Sequence, residues 1–365
     1  MKKKIIIGLI VIVGGALLII PLLKSEPIED DGLPAFFEFE YDFLAMDVGD
    51  EITLKINIVK PVEKLELILD NTILKSWTAP KGTVSYNLVG DQALMGSHQL
   101  NLRATYDEGQ SKTDYRTLRV LSDIIPEELR ASVITTYPHH TLSFTQGLEF
   151  YKGKLYEGTG DPKGTGMTRV AVVDLETGEW SSGKSMSLGP DYFGEGITIL
   201  NEKLYQLTWQ DGKCFVYDVN DFHGNIGDFE YKGEGWGLCN DGKSLIMSDG
   251  SQRITFRNAE TFAIERTFEV YDNLGPVAYL NELEFIDGLI YANVWQSPLV
   301  KVIDPKTGKV LRSIDASELI TLNGGTGDVL NGIAHNPATG KTYMTGKYWS
   351  KLFEVEFNAI EVQLP

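Results

Sequence analysis

From Phe36 to Leu121 the pattern of apolar and polar positions reads as strands only. Glu51-Ile52-Thr53-Leu54-Lys55-Ile56-Asn57-Ile58 alternates polar and apolar side chains at period two, as does Leu65-Glu66-Leu67-Ile68-Leu69. That period puts every second side chain on one face, so both runs predict half-buried β-strands. Gln99 to Ala104 and Tyr115 to Val120 continue the pattern, with Asp70-Asn71, Gly90-Asp91 and Asp107-Glu108-Gly109 as turns between strands. About seven strands over residues 35–122 predict an immunoglobulin-like β-sandwich. No cluster of catalytic residue types falls in it, so it reads as a spacer or a partner-binding module.

Beyond it one short phrase recurs five times: Gly147-Leu148-Glu149-Phe150, Gly196-Ile197-Thr198-Ile199, Gly237-Leu238-Cys239-Asn240, Glu282-Leu283-Glu284-Phe285 and Gly332-Ile333-Ala334-His335. Each is followed by a turn and a second apolar strand. The copies begin at 147, 196, 237, 282 and 332, between 41 and 50 residues apart, which is the period of propeller blades. A four-stranded blade cannot bury both faces alone, so the blades must surround an axis. Residues 130–365 therefore predict a five-bladed β-propeller, with Pro126-Glu127-Glu128 at the boundary. The fifth blade is one strand short. Val133 to Tyr137 is left unassigned, and placing it as the outer strand of the last blade closes the ring without an unpaired edge.

At the other end, Ile5 to Leu23 is an almost unbroken apolar run, interrupted only by glycines and Pro21 and preceded by Lys2-Lys3-Lys4. At 1.5 Å per residue a helix of that length spans roughly 28 Å, close to the hydrocarbon core of a bilayer. Residues 1–24 thus predict an N-terminal transmembrane helix or, alternatively, a cleaved signal segment. The lysines stay in the cytoplasm and residues 25–34 form an acidic linker on the far, extracytoplasmic side. The net charge of −18 repels phosphate backbones, and no basic patch offsets it, so nucleic-acid binding is not expected. Cys214 and Cys239 read as buried small hydrophobes rather than a disulfide.

Inner strands line the funnel of a propeller, so residues at their entrances that packing does not demand point to a site. Those are Phe144 and Gln146 before the first phrase, Phe193 and Glu195 before the second, Trp236 before the third and Asn281 before the fourth. Trp209 and Trp295 follow the next strands at matching places, and Lys347 and Lys351 stand at the corresponding place in the fifth blade. An aromatic cup with a few placed polar groups suits a small ligand. Adjacent His139-His140 resembles a metal pair, but neighbours along a strand face opposite ways. Glu149 and Glu284, equivalent on inner strands, are candidates for a structural calcium on the axis.

Ser143-Phe144-Thr145-Gln146-Gly147-Leu148, Phe193-Gly194-Glu195-Gly196, Gly235-Trp236-Gly237-Leu238 and Leu330-Asn331-Gly332-Ile333-Ala334 together resemble the plant and bacterial type of glutaminyl cyclase, over about Val133 to Phe357. The resemblance implies a five-bladed propeller that converts N-terminal glutamine of peptides to pyroglutamate, with no cofactor required for catalysis. It implies Glu195 as the proton shuttle and Gln146 and Asn281 as hydrogen-bonding partners of the substrate. Phe144, Phe193, Trp209, Trp236 and Trp295 would form the aromatic wall, and Lys351 a basic group at the rim. The rival readings are a calcium-dependent propeller hydrolase, which needs several carboxylates on one metal, and a non-catalytic adhesion or binding protein.

Overall fold

The computed structural model describes residues 9–13, 16–20, 32–39, 41–165 and 168–360. Its architecture is all-β, and the one α-helix among the described residues is the short Ser317–Leu322. No helix there is long and apolar enough to cross a membrane. The transmembrane helix expected near the N-terminus is replaced, where the segment is described, by two antiparallel strands, Leu9–Val13 and Ala16–Ile20. Both are rich in Ile, Val and Leu and flank Gly14-Gly15, a composition as suited to paired strands as to a helix. Most of the expected linker lies outside the described residues.

The chain divides into two compact units that meet at Val120–Leu121. In the first, Ala35–Phe37, Glu51–Ile58 and Gly82–Val89 form one antiparallel sheet. A second sheet has the order Phe43–Asp47, Gln110–Leu121, Gly96–Tyr106, Lys64–Leu69, Thr72–Thr78. Period-two alternation sends Leu54 and Ile56 inward while Lys55 stays exposed, and Leu65, Leu67, Leu100 and Leu118 meet them in one core. Each such side chain contributes about 1.5–3 kcal/mol by leaving water.

In the second unit the five phrases fall on five strands, the third with its Gly237 one residue ahead: Phe144–Tyr151, Gly194–Leu200, Leu238–Asn240, Leu280–Ile286 and Leu330–Asn336. The first three each start an antiparallel four-stranded sheet in which successive strands are neighbours, and the fourth starts a like run of four within a larger sheet. The five starting strands touch one another in a closed cycle, the first meeting both the second and the fifth. Apolar clusters lie between consecutive sheets in the same cyclic order. Val170 and Val172 pack with Ile197 and Ile199, while Leu148 and Phe150 pack with Ala334 and Tyr343.

A starting strand has an edge with no strand beside it, and buried glutamates satisfy backbone N–H groups there. Glu149 accepts from Ile199 N (2.9 Å), Glu284 from His335 N (2.7 Å), and Glu282 from both Leu148 N (3.3 Å) and Ile333 N (2.9 Å). Burial pushes the carboxyl of Glu149 up to about 8.

Val133–Tyr137 belongs to the longer strand Glu127–Pro138, which runs antiparallel to Lys351–Ala359 with Val133 beside Val355 and Tyr137 beside Leu352. The same strand does a second thing that the pattern did not foretell. Its start, Glu127 to Arg130, pairs in parallel with Arg312 to Asp315, the last strand of the fourth sheet. One strand thus joins the fourth and fifth groups into a single eight-stranded sheet.

Candidate active site

Two sets of equivalent positions, one residue from each group, converge at one end of the five starting strands. The first set precedes the glycine or glutamate that opens each phrase: Gln146, Glu195, Trp236, Asn281 and Asn331. The second stands one residue past each group's second strand: Asp161, Trp209, Asp249, Trp295 and Lys347. All of these except Asn331 line a cavity of about 900 Å³, together with Phe144, Phe193, Glu234 and Tyr279.

The wall is aromatic and interlocked. Phe193 lies edge-on to both Phe144 (centroids 6.0 Å apart) and Trp209 (5.7 Å), and Trp236 is perpendicular to Trp295 at 5.8 Å. Edge-to-face packing holds each ring against its neighbour's face and limits rotation. A single carboxylate fastens two of the indoles. Glu234 Oε2 accepts from Trp209 Nε1 and from Trp236 Nε1, each at 2.9 Å, while its Oε1 accepts from Gln210. These donors hold its carboxyl below the usual range despite partial desolvation.

Glu195 is buried among these rings, 5% exposed. It sits between glycines because the backbone has no room beside it: a Cβ at Gly196 would lie 2.4 Å from Leu238 N. Gln146 Nε2 donates to Glu195 Oε1 at 2.8 Å. Desolvation pushes the Glu195 carboxyl well above the ordinary range; the Lys347 ammonium pulls it back and the Glu234 carboxylate pushes it further up. Lys347 is itself 4% exposed, with Nζ 4.6 Å from the centroid of the Phe144 ring. Burial lowers its pKa, and Glu195 and Asp328 oppose that. Asn281 is buried in the wall; its main-chain oxygen accepts from Ser248 Oγ, while its side-chain Oδ1 meets no donor among the described residues.

Of the nine residues given a role by the family resemblance, eight line one cavity and Lys351 does not. Lys351 opens the third strand of the fifth group, and its Nζ donates to the carbonyl of Leu322. The second strand, Lys341–Gly346, ends one residue before Lys347, which therefore occupies the place of Trp209 and Trp295. Glu234, Tyr279, Asp161 and Asp249 went unrecognised. The signal for Asp161 and Asp249 was available, since both stand one residue past a second strand.

The other candidate groups have structural partners. His139 Nε2 meets Glu157 Oε1 at 2.9 Å in full burial, and Glu157 also accepts from Ser143, Thr145 and Trp180, whereas His140 stacks on Trp180. Cys214 and Cys239 are free and buried. Among the described residues no group of three or more His, Cys, Asp or Glu is arranged to hold a metal ion, and Glu149 and Glu284 each commit an oxygen to a backbone N–H.

The chain is 38% identical over 231 residues to glutaminyl-peptide cyclotransferase of Arabidopsis thaliana, covering 61% of this chain and 70% of that protein. It is also similar to the crystal structure of Myxococcus xanthus glutaminyl cyclase, at 38% identity and a TM-score of 0.59, over 65% of this chain and all of that one. The family model for glutamine cyclotransferase matches residues 109–357, which include every residue of the cavity, and the chain belongs to that family.

Proposed function

We infer that the chain is a glutaminyl-peptide cyclotransferase, closing N-terminal glutamine of peptides or proteins to pyroglutamate with release of ammonia. The observation that carries the reading is a single desolvated carboxylate, Glu195, oriented by an amide at the floor of an aromatic cup. The substrate's α-nitrogen attacks its own side-chain amide carbon. One C–N bond forms, the bond to the amide nitrogen breaks, and a proton must pass from the first nitrogen to the second. Because the nucleophile is intramolecular, a cup that holds the folded conformer supplies much of the rate.

Glu195 takes the proton from the α-nitrogen and returns it to the departing nitrogen, for which a carboxyl with a pKa raised towards neutrality is suited. Its Oε1 is engaged by Gln146, which leaves Oε2 for the proton. Asn281 Oδ1 is the available acceptor for an N–H of the substrate. Lys347, rather than Lys351, is the cation that offsets negative charge on the amide oxygen as it develops. Trp209, Trp236 and Trp295 exclude water around it, with Phe144 and Phe193.

The cyclic contacts of the five starting strands and the clusters shared between neighbours support a five-bladed propeller for residues 130–365. The two sheets around one core support an immunoglobulin-like sandwich for residues 35–122. The Lys2–Lys4 cluster and the apolar run after it support placement of both on the extracytoplasmic side of a membrane. Engagement of Glu149 and Glu284 by backbone donors favours a role as cross-sheet clasps over a calcium site. The decisive experiment incubates the protein with a Gln-initiated peptide and its Asn-initiated counterpart. Loss of one ammonia from the first alone is the expected result, and no mass change in either refutes the reading.

A further inference from the structure

Asn331 is the only member of the inner set of five that does not reach the cavity. It is fully buried, and its Nδ2 donates to two acceptors, the main-chain oxygen of Thr145 (2.9 Å) and Gln146 Oε1 (3.3 Å). The backbone after it is pinned as well. Gly332 N donates to Asn293 Oδ1 at 3.0 Å, and Gly332 holds φ +119°, a conformation that side chains rarely adopt.

The polarity of this chain of contacts is set by one group that cannot reverse. A main-chain carbonyl only accepts, so Asn331 must turn its NH2 towards Thr145 O. That same NH2 faces Gln146, which must therefore present Oε1 to it. Gln146 is left with its own NH2 pointing at Glu195, where it donates to Oε1 at 2.8 Å. A flipped Gln146 would set its oxygen against Glu195 Oε1 and its NH2 against the NH2 of Asn331. The arrangement has a cost, since Asn331 Oδ1 is buried and meets no donor among the described residues. A buried polar atom left unmatched is a poor solution for packing alone.

We propose that Asn331 is a positioning residue for the cyclisation: by fixing the orientation of the Gln146 amide against the Thr145 carbonyl, it keeps one oxygen of Glu195 permanently hydrogen-bonded and reserves the other for the travelling proton. The inference rests on the cyclotransferase reading, and Glu195→Gln tests that reading separately. Donation by Gln146 favours the ionised form of Glu195, as Lys347 does, while Glu234 and the nearby Tyr231 phenol are untouched by a change at Asn331. Activity on the acid side rises as Glu195 ionises. If the lock is removed, Gln146 can reverse, ionisation becomes harder, and the acid limb moves to higher pH.

The test is a double-mutant cycle between Asn331→Ala and Gln146→Met in the full chain, with kcat, KM and the pH profile of kcat measured on a Gln-initiated peptide. Alone, Asn331→Ala is expected to lower kcat about tenfold at neutral pH, one decade of general acid–base catalysis, with KM within about twofold. The acid limb should rise. In the Gln146→Met background the same change should alter kcat by less than about twofold, because the amide it orients is gone. Equal losses in both backgrounds, or an acid limb that stays in place, would overturn the proposal and leave Asn331 a packing residue. Should alanine impair folding, Asn331→Ser keeps most of the volume and one donor but is too short to serve both acceptors, and it reads the same two quantities.

Discussion

Replacing Glu195 by Gln removes one proton site and leaves almost everything else standing. The side chain keeps its length, and its oxygen still accepts from Gln146 Nε2, so the 2.8 Å contact has no reason to break. The aromatic rings around it touch the same volume. Two quantities change. The shuttle is lost, and general acid–base catalysis by one positioned group contributes about 10²–10⁴-fold, which at 1.36 kcal/mol per decade is about 2.7–5.4 kcal/mol of barrier. Lys347 also loses the carboxylate that favours its charged form, so its pKa falls further and less positive charge faces the amide oxygen. Both effects act on the transition state, so kcat should fall at least about 100-fold while KM moves little. Stability should hold or improve, because the variant no longer buries a carboxylate whose ionisation is opposed by desolvation. The assay is continuous ammonia release from a Gln-initiated peptide, with thermal unfolding of the same preparation alongside. Turnover within a few-fold of the parent in a variant of unchanged thermal midpoint would refute the role given to Glu195.

The two lysines separate cleanly: Lys347→Met should cost about 100-fold or more in kcat, within the range of a single oxyanion-stabilising group, while Lys351→Met should stay within about twofold, and the reverse order would return the rim role to Lys351. Glu149 has a native pKa of about 8 against an ordinary 4.5, so the folded chain binds the extra proton and loses stability as pH rises between those values. Glu149→Gln keeps an acceptor for Ile199 N–H, and its thermal midpoint relative to the parent should climb from pH 5 to pH 9; a constant difference would contradict the burial argument. Exhaustive treatment with a chelator should leave both the thermal midpoint and the cyclase rate unchanged, and a fall in either would restore the calcium reading of Glu149 and Glu284. A fragment from Leu121 to Pro365 should fold and cyclise Gln peptides, whereas one beginning at Ser143 lacks the Glu127–Pro138 strand and should aggregate through the exposed edges.

The repeating phrase was legible because every starting strand brings apolar residues to the same depth, and four of the five copies open with a glycine. That pattern repeats with the geometry. Trp209 and Trp295 were legible by the same symmetry, but the fifth group was ambiguous: two lysines lie four residues apart, and only the end of the second strand at Gly346 decides between them. Glu234 was harder to see. It is two residues from Trp236 but 25 from Trp209, and its role comes from a meeting of indole N–H groups that no local pattern records. The N-terminal run shows the limit of composition. A stretch of Ile, Val and Leu can satisfy its backbone as a helix in lipid or as paired strands, and hydropathy is the same for both.

The strand Glu127–Pro138 also dictates when this unit can finish folding. Leu129 lies beside Ala359, so 230 residues (359 − 129) separate partners that must pair, and on the ribosome the first of them waits until the second has emerged. Sheets one to three contain only local hairpins and can form during synthesis. The final closure joins the earliest and latest segments, and a contact of such long range makes it the slow step. Until then the last strand of the fourth group and the third strand of the fifth are each paired on one side only. A chain stalled or trimmed before Val355 would present two open edges to its neighbours, which is where recognition by chaperones or self-association should begin.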